Sequence, residues 1–364
     1  MILHLYFARR FAVTFLFVTA VFVGIILLVD LVDQVRRFEG YGISFPGIVG
    51  LTLLAAPQTV YMILPLLVIV STLALFLTLA RTSELVVTRA AGRSAFRSLL
   101  GPALVTTLIG GLAVAALNPI AATAARQYDL LAERLSGRGG SALSVGSEGI
   151  WLRQRGAEGQ IVIRADRAEE SGTVLRGVSF FGFDAAGDPD MRIEARTAAL
   201  EPGRWVLSEA KVWDFDARNP EAAAERRAGM TVDTTLTAER ILDGFGDPAM
   251  LGIWELPGFI EELRAAGFSA RRHAMHLQMQ LALPVLLVAM MLVGAAFTMR
   301  HSRVSRTGLM TLLALTMGFS LFFIRNFAQI LGEEGQIPVL LAAWGPPVAA
   351  VLLPIGLLLH WEDG

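Results

Sequence analysis

Three short constellations in this 364-residue chain carry residue types suited to grasping an anion or docking a partner. The first is Leu31-Val32-Asp33-Gln34-Val35-Arg36-Arg37, where two adjacent guanidiniums follow a long apolar run. A guanidinium fork matches phosphate oxygens two at a time, so Arg36 and Arg37 could hold a phosphorylated headgroup. Simple anchoring of a helix end among headgroups would need the same residues, and Asp30 and Asp33 could neutralise them. The second is Arg325 with Asn326, at the end of another apolar run. A charge at membrane depth is costly and commonly faces a bundle interior or a cavity, unless it snorkels to the interface. The third is Arg81-Thr82-Ser83-Glu84-Leu85-Val86-Val87-Thr88-Arg89-Ala90-Ala91-Gly92-Arg93-Ser94. Thr82 or Ser83 can cap a helix, Glu84 suits its positive end, and Gly92 can end it. Its apolar residues, Leu85 and Val86 among them, would lie on a segment facing water, as a short helix that docks into a partner's groove does. An ordinary interfacial loop carrying Arg89 and its basic neighbours reads similarly.

Other chemistry is missing. There is no Cys, hence no disulfide framework or thiolate site. Lys211 is the single lysine and sits in Ser208-Glu209-Ala210-Lys211-Val212, a strand-like stretch, so ATP binding through a P-loop is excluded. H-E-x-x-H and G-x-S-x-G are absent. His273 and His276 are the one histidine pair at ligand-like spacing, and a wet interface accounts for them. No catalytic role, cofactor, metal or nucleic-acid partner is expected.

The elements that position these residues can be read from composition. Hydrophobic residues make up 54% and charged residues 17%, with mean hydropathy +0.57, which excludes an ordinarily solvated soluble protein. The net charge of −1 hides a segregation: Arg126 to His276 holds 24 acidic and 19 basic residues of the chain's 63 charges. Six charge-free runs reach membrane length: Phe11–Val29, Tyr41–Ala80, Ser98–Ala125, Leu277–Met299, Thr307–Ile324 and Gly335–Leu359. The second could hold two spans. Its start, Gly40 to Pro46, reads as a turn and interfacial entry, so one long span bent near Pro57 and Pro65 is expected.

Orientation follows arginine bias in the short connections. One face would hold Arg9, Arg10, Arg81, Arg89, Arg93, Arg97, Arg300, Arg303 and Arg306, against Arg36 and Arg37 on the other. Both termini are therefore expected in the cytoplasm and the insert outside. The first run is too long for a signal-peptide core and lacks a small-residue cleavage site, so it reads as a retained anchor.

Within the insert, short segments rich in β-branched and aromatic residues recur about every ten positions, among them Gln160–Ala165, Val174–Phe183 and Arg204–Leu207. Turn residues such as Ala186-Gly187-Asp188-Pro189 separate several of them. Six or seven strands without helix signals between them indicate an antiparallel sandwich or jelly roll. The expected fold is thus an α-helical membrane protein of six transmembrane helices with an inserted all-β periplasmic jelly roll. Residues 1–125 form helices 1–3 with the coupling segment at about 82–93, residues 126–270 the β domain with its linkers, and 271–364 helices 4–6. Whether the inward apolar residues fill a core or line a groove for acyl chains, periodicity leaves open.

Over nearly its whole length the chain resembles the LptF/LptG permeases of the bacterial lipopolysaccharide exporter. The run Ser83-Glu84-Leu85-Val86-Val87 to Ala91-Gly92 is similar to that family's coupling helix, and Val32-Asp33-Gln34-Val35-Arg36-Arg37 to the end of the first helix in the LptG member. The layout of three spans, a β insert with Trp151 and Trp205-Val206-Leu207-Ser208, and three spans ending in Ile337-Pro338 and Trp344-Gly345-Pro346 also agrees. The resemblance implies a heterodimer of this chain with an LptF-type paralogue on a cytoplasmic LptB-type ATPase dimer. It further implies delivery of lipopolysaccharide from the outer leaflet of the inner membrane into periplasmic jelly rolls, including those of single-span LptC and of LptA. Glu84, with Leu85, Val86, Arg89 and Gly92 around it, would engage the ATPase. Arg36 and Arg37 would meet the anionic lipid head; Arg325, from the cost of its charge at membrane depth, is a further candidate lipid contact. Two rivals stand beside this reading: a non-transporting scaffold whose β domain binds a periplasmic protein, and the permease of another ABC exporter, which would usually have four spans.

Overall fold

A computed structural model describes residues 2–84, 87–88, 94–136, 143–146, 149–155, 159–169, 173–184, 187–234, 236–237, 241, 247–299 and 307–362. The chain divides into two compact units, Met1–Gly137 with Ala249–Trp254 and Ala274–Gly364, and Arg138–Pro248 with Glu255–His273.

The first unit is helical. Helix α1 spans Ile2–Arg37 and α2 spans Phe45–Arg81, with a turn between them in which Gly40 and Gly42 adopt positive φ. The second apolar run is therefore one helix of 37 residues, continuous through Pro57 and Pro65. Helix α3, Ala95–Leu112, passes through a π-helical turn, Ala113–Leu117, into α4, Asn118–Ser136. Helices α6, Arg271–Leu281, and α7, Leu283–Thr298, form a pair bent by 49°. Helices α8, Thr307–Glu333, and α9, Val339–Glu362, complete the set. Among the described residues, five helices are long and apolar enough to cross a bilayer, and six spans result when the bent pair counts as one.

Two prolines explain the irregularities. Pro284 has no N–H to offer the Gln280 carbonyl, and the helix bends beside it at Ala282. Pro119 likewise leaves the Ala115 carbonyl without its helical donor, and the Asn118 N–H reaches back five residues to Ala113 instead.

Helix α2 is the hub, packing on α1, α4 and α7, with Leu67, Val68, Phe76 and Leu79 fully buried. Without a hydrophobic drive between helices in lipid, close approach of small residues supplies the packing. A Cβ on Gly110 would meet the backbone of Pro284 at 2.6 Å, so only glycine lets α3 lie this close to α7. The outward faces stay apolar, with Leu16, Phe17 and Leu28 exposed on α1 and Phe323 and Phe327 on α8.

The second unit carries one seven-stranded antiparallel sheet: β1 Leu143–Gly146, β2 Gly149–Arg155, β3 Gln160–Glu169, β4 Val174–Phe183, β5 Pro189–Glu201, β6 Arg204–Asp214 and β7 Glu225–Asp233. Its strands pair strictly in chain order, because short turns join them, so the connectivity is a meander of hairpins. The sheet rolls far enough for β2 to meet the end of β7. There the buried Gln154 amide donates to the Asp233 carbonyl at 3.0 Å, and its oxygen accepts from the Thr234 hydroxyl. Ile150, Ile163, Leu175, Phe180 and Trp205 are completely buried, and the Phe180 and Trp205 rings meet edge to face at 6.4 Å. The inward face is therefore a filled core in this structure. Segments 204–207 and 211–215, legible as two strands, form one strand with an irregularity at Glu209, whose φ of 51° breaks the alternation. Helix α5, Leu256–Ala265, belongs to this unit, with Leu256, Ile260 and Leu263 buried.

Candidate functional site

The segment after α2 turns sharply. Ser83 adopts φ +59°, and its carbonyl accepts from the Val87 N–H at 3.1 Å, starting a new helical turn at Glu84. The Thr88 hydroxyl donates to the Glu84 carbonyl at 2.7 Å. The Glu84 side chain is half-buried. Its Oε2 accepts from the Tyr6 hydroxyl of α1 at 2.7 Å and its Oε1 from the Thr82 hydroxyl at 3.0 Å. These hydroxyls, Tyr6 first, hold the Glu84 carboxyl below the usual carboxylate range against an opposing effect of burial, and the positive charge of Arg10 adds to the lowering. Leu85, Val86, Arg89 and Gly92 lie outside the described residues.

At the other end of α1, Arg36 and Arg37 are both exposed. Arg37 donates to the Tyr128 hydroxyl of α4 at 3.0 Å, and its guanidinium stands 5.9 Å from the rings of both Tyr128 and Phe38. Tyr128 in turn donates to the buried Gln34 at 3.0 Å, which fixes the outer part of α1 on α4. Neither arginine is ion-paired with Asp30 or Asp33 among the described residues, so the neutralisation considered from sequence does not occur. Both charges stay open to an anion.

Arg325 is placed elsewhere. It stands half-buried on α8, which packs on α2, α7 and α9, whereas α1 packs on α2 and α3. The three arginines are not gathered into one site. Arg325 instead interacts electrostatically with Tyr61 of α2. The Tyr61 hydroxyl donates to the Gln280 side-chain oxygen and lies within hydrogen-bonding reach of Asn118. Gln280 bonds His276 at 3.0 Å, and Asn118 Oδ1 accepts from the Ile253 N–H at 2.8 Å. This polar cluster joins α2, α4, α6 and α8. Tyr61 is about 20 residues from Arg81, about 30 Å along a helix, which is the thickness of a hydrocarbon core. The cluster thus lies about one hydrocarbon thickness from Arg81 along α2. Beside it, Met62, Pro65, Ile69, Met290, Phe319 and Phe322 line an apolar pocket of about 190 Å³.

Single-residue reading misses most of this cluster. Tyr61, Asn118 and Gln280 are isolated polar residues in apolar runs, and only their coincidence at one depth on four helices marks them. His276 reads from sequence as a wet-interface residue, and its bond to Gln280 gives it a partner within the bundle.

The architecture is that of a polytopic helical membrane protein with a β-sheet unit inserted between its third and fourth spans. The chain belongs to the lipopolysaccharide export system permease LptF/LptG family, whose sequence pattern matches residues 5–360. Similar proteins include the lipopolysaccharide export system permease protein LptG of Escherichia coli strain K12, 26% identical over 97% of this chain and 94% of the relative. The LptG protein of Haemophilus influenzae is 24% identical over 91% of this chain and 89% of the relative. These relatives agree with the nearness to LptG expected from the basic pair, and the family assignment makes the chain a lipopolysaccharide export permease of the inner membrane.

Proposed function

We propose that this chain is the LptG-type permease subunit of an ABC exporter that draws lipopolysaccharide from the outer leaflet of the inner membrane. It passes the lipid to a bridge of periplasmic β domains. It hydrolyses nothing itself: a cytoplasmic LptB-type ATPase dimer supplies the work, contacting the segment at residues 82–93. An LptF-type paralogue completes the cavity and an LptC-type single-span protein continues the bridge. Both termini lie in the cytoplasm and the β unit in the periplasm.

The observation that carries this reading is the pair of exposed guanidiniums, Arg36 and Arg37, at the end of an apolar helix and without carboxylate partners among the described residues. Phosphate on a lipid headgroup fits their fork geometry. The apolar pocket lined by Met62 and Phe322, close along their helices to Tyr61 and Arg325, offers a second pairing of apolar surface with a nearby cation. Acyl burial is worth about 0.8 kcal/mol per CH₂, so lifting a multiply acylated lipid costs tens of kcal/mol and needs a motor. With one lysine and no P-loop, the chain leaves that task to a partner.

Isolation of the chain from native membranes, with mass spectrometry of its companions and protease mapping of the β unit, tests the assignment. An ATPase and a paralogous permease should copurify, and the β unit should be cut only from the periplasmic side. Cytoplasmic cleavage of that unit, or a complex without any ATPase, would refute it and favour the scaffold reading.

A further inference from the structure

We propose that Tyr6 is a positioning residue, which ties the Glu84 carboxylate to the first helix so that a push on the coupling segment is delivered to α1. The inference rests on the reading of residues 82–93 as the contact for the motor, and adds where the push goes. A carboxylate has about four acceptor positions, so contacts within the chain leave room for a basic residue of the motor as well. Here both of its oxygens are engaged from within the chain, Oε2 by Tyr6 and Oε1 by Thr82. Arg10, one helical turn after Tyr6, donates to the Tyr6 hydroxyl at 3.1 Å and lies 5.9 Å from its ring. Arg10, Tyr6 and Glu84 thus form a relay from cation through hydroxyl to anion, in which each bond favours the next.

Two further features hold the same place. The backbone at Ser83, φ +59°, costs a non-glycine residue about 1 kcal/mol or more and persists where surrounding contacts fix it. On the other side of the segment, a Cβ on Gly101 of α3 would lie 2.5 Å from the His4 carbonyl oxygen, so α3 touches α1 backbone to backbone. The start of α1 is therefore gripped from both sides of residues 85–93, by Glu84 before them and by Gly101 after them. A helix keeps its hydrogen bonds internal and moves as a rod. Displacement at Tyr6 reaches Arg36 and Arg37, about 45 Å away along α1.

The test uses Tyr6→Phe, which removes one hydroxyl and keeps the ring. In the complex isolated from membranes, Tyr6→Phe should copurify the ATPase at the parent level while lipopolysaccharide released per ATP falls about fivefold, at the low end of site-to-site couplings. Glu84→Gln should cost much less in the Tyr6→Phe background than alone. Parental lipid-to-ATP ratios for Tyr6→Phe, or fully additive effects, would overturn the tie. A second measurement needs no motor. The chain has no native Cys, so spin labels at Val13→Cys and Val87→Cys, both exposed, report the distance between α1 and the segment in nanodiscs. Tyr6→Phe should broaden that distance distribution, and an unchanged distribution would overturn the tie whatever the transport result. Broadening in a chain that exports nothing with any ATPase would leave the tie standing and remove the motor reading instead.

Discussion

Trp254 donates its indole N–H to the carbonyl of Ala115 at 3.1 Å. That carbonyl is the one Pro119 leaves without a helical partner, so a residue 139 positions away completes the third span's hydrogen bonding. The neighbouring Ile253 N–H donates to the Asn118 side-chain oxygen at 2.8 Å. The returning segment 249–254 is thereby fastened to a defect built into the span, consistent with the use of π turns at functional places.

Replacing Trp254 by Phe should therefore destabilise the helical unit by about 1 kcal/mol, the net worth of one hydrogen bond. Pro119→Ala restores a donor to the span, so the two changes should be non-additive. Thermal unfolding of the four proteins in detergent measures this cycle. Equal costs of Trp254→Phe in both backgrounds would show that the indole serves packing alone.

Gln154 closes the rolled sheet by satisfying both Asp233 and Thr234 across β2 and β7. Gln154→Ala removes the acceptor of the buried Thr234 hydroxyl and one donor to the Asp233 carbonyl and should cost about 1–3 kcal/mol. Hydrogen exchange should show faster opening at β7 than at β4, since β7 alone is an edge that loses its clasp. Uniform loss of protection across the sheet would contradict a local seam.

The Glu84 carboxyl titrates below its ordinary value of 4.5 because the Tyr6 hydroxyl, then Thr82 and Arg10, favour its charged form. A depressed value in the folded chain means the tie contributes its full stabilisation above that ordinary value and loses it as pH falls through the lower one. The spin-label distance between residues 13 and 87 should stay constant from about pH 8 to about pH 5 and loosen only in more acid solution. Loosening near neutrality would point to a different titrating group.

Much of the architecture was legible in the residues. Charge-free runs marked the spans, and the turn at Gly40 to Pro46 correctly favoured one long second helix, since nothing else in that run breaks the apolar pattern. The strand spacing gave the β insert. The sequence was less informative where tertiary contacts decide. The positive φ at Glu209 interrupts the alternation within one continuous strand, and a residue with positive φ looks like any other in a period-two pattern. The filled sheet interior and the Tyr61 cluster both depend on which elements meet, which periodicity along one element does not encode. Arg36 and Arg37 stand out in the sequence because two adjacent charges follow a long apolar run, whereas Tyr6 carries no such mark.

Arg325 offers a separate check on the outer rim. It stands half-buried on α8 one turn after Phe322, so Arg325→Gln keeps the bulk and removes the cation. Lipopolysaccharide capture by a photoreactive residue at Phe322, which lines the neighbouring pocket, should fall about tenfold while the complex assembles normally. Undiminished capture would make Arg325 a structural cation.

The most direct test places a photoreactive amino acid at Val35, beside the basic pair, in the complex reconstituted with its ATPase. Illumination before ATP should link lipopolysaccharide to α1, ATP should deplete the adduct, and Arg36→Glu with Arg37→Glu should abolish it. An adduct that persists through ATP turnover, or survives the charge reversal, would contradict the account of a lipid held by this rim and moved by a motor on the opposite face.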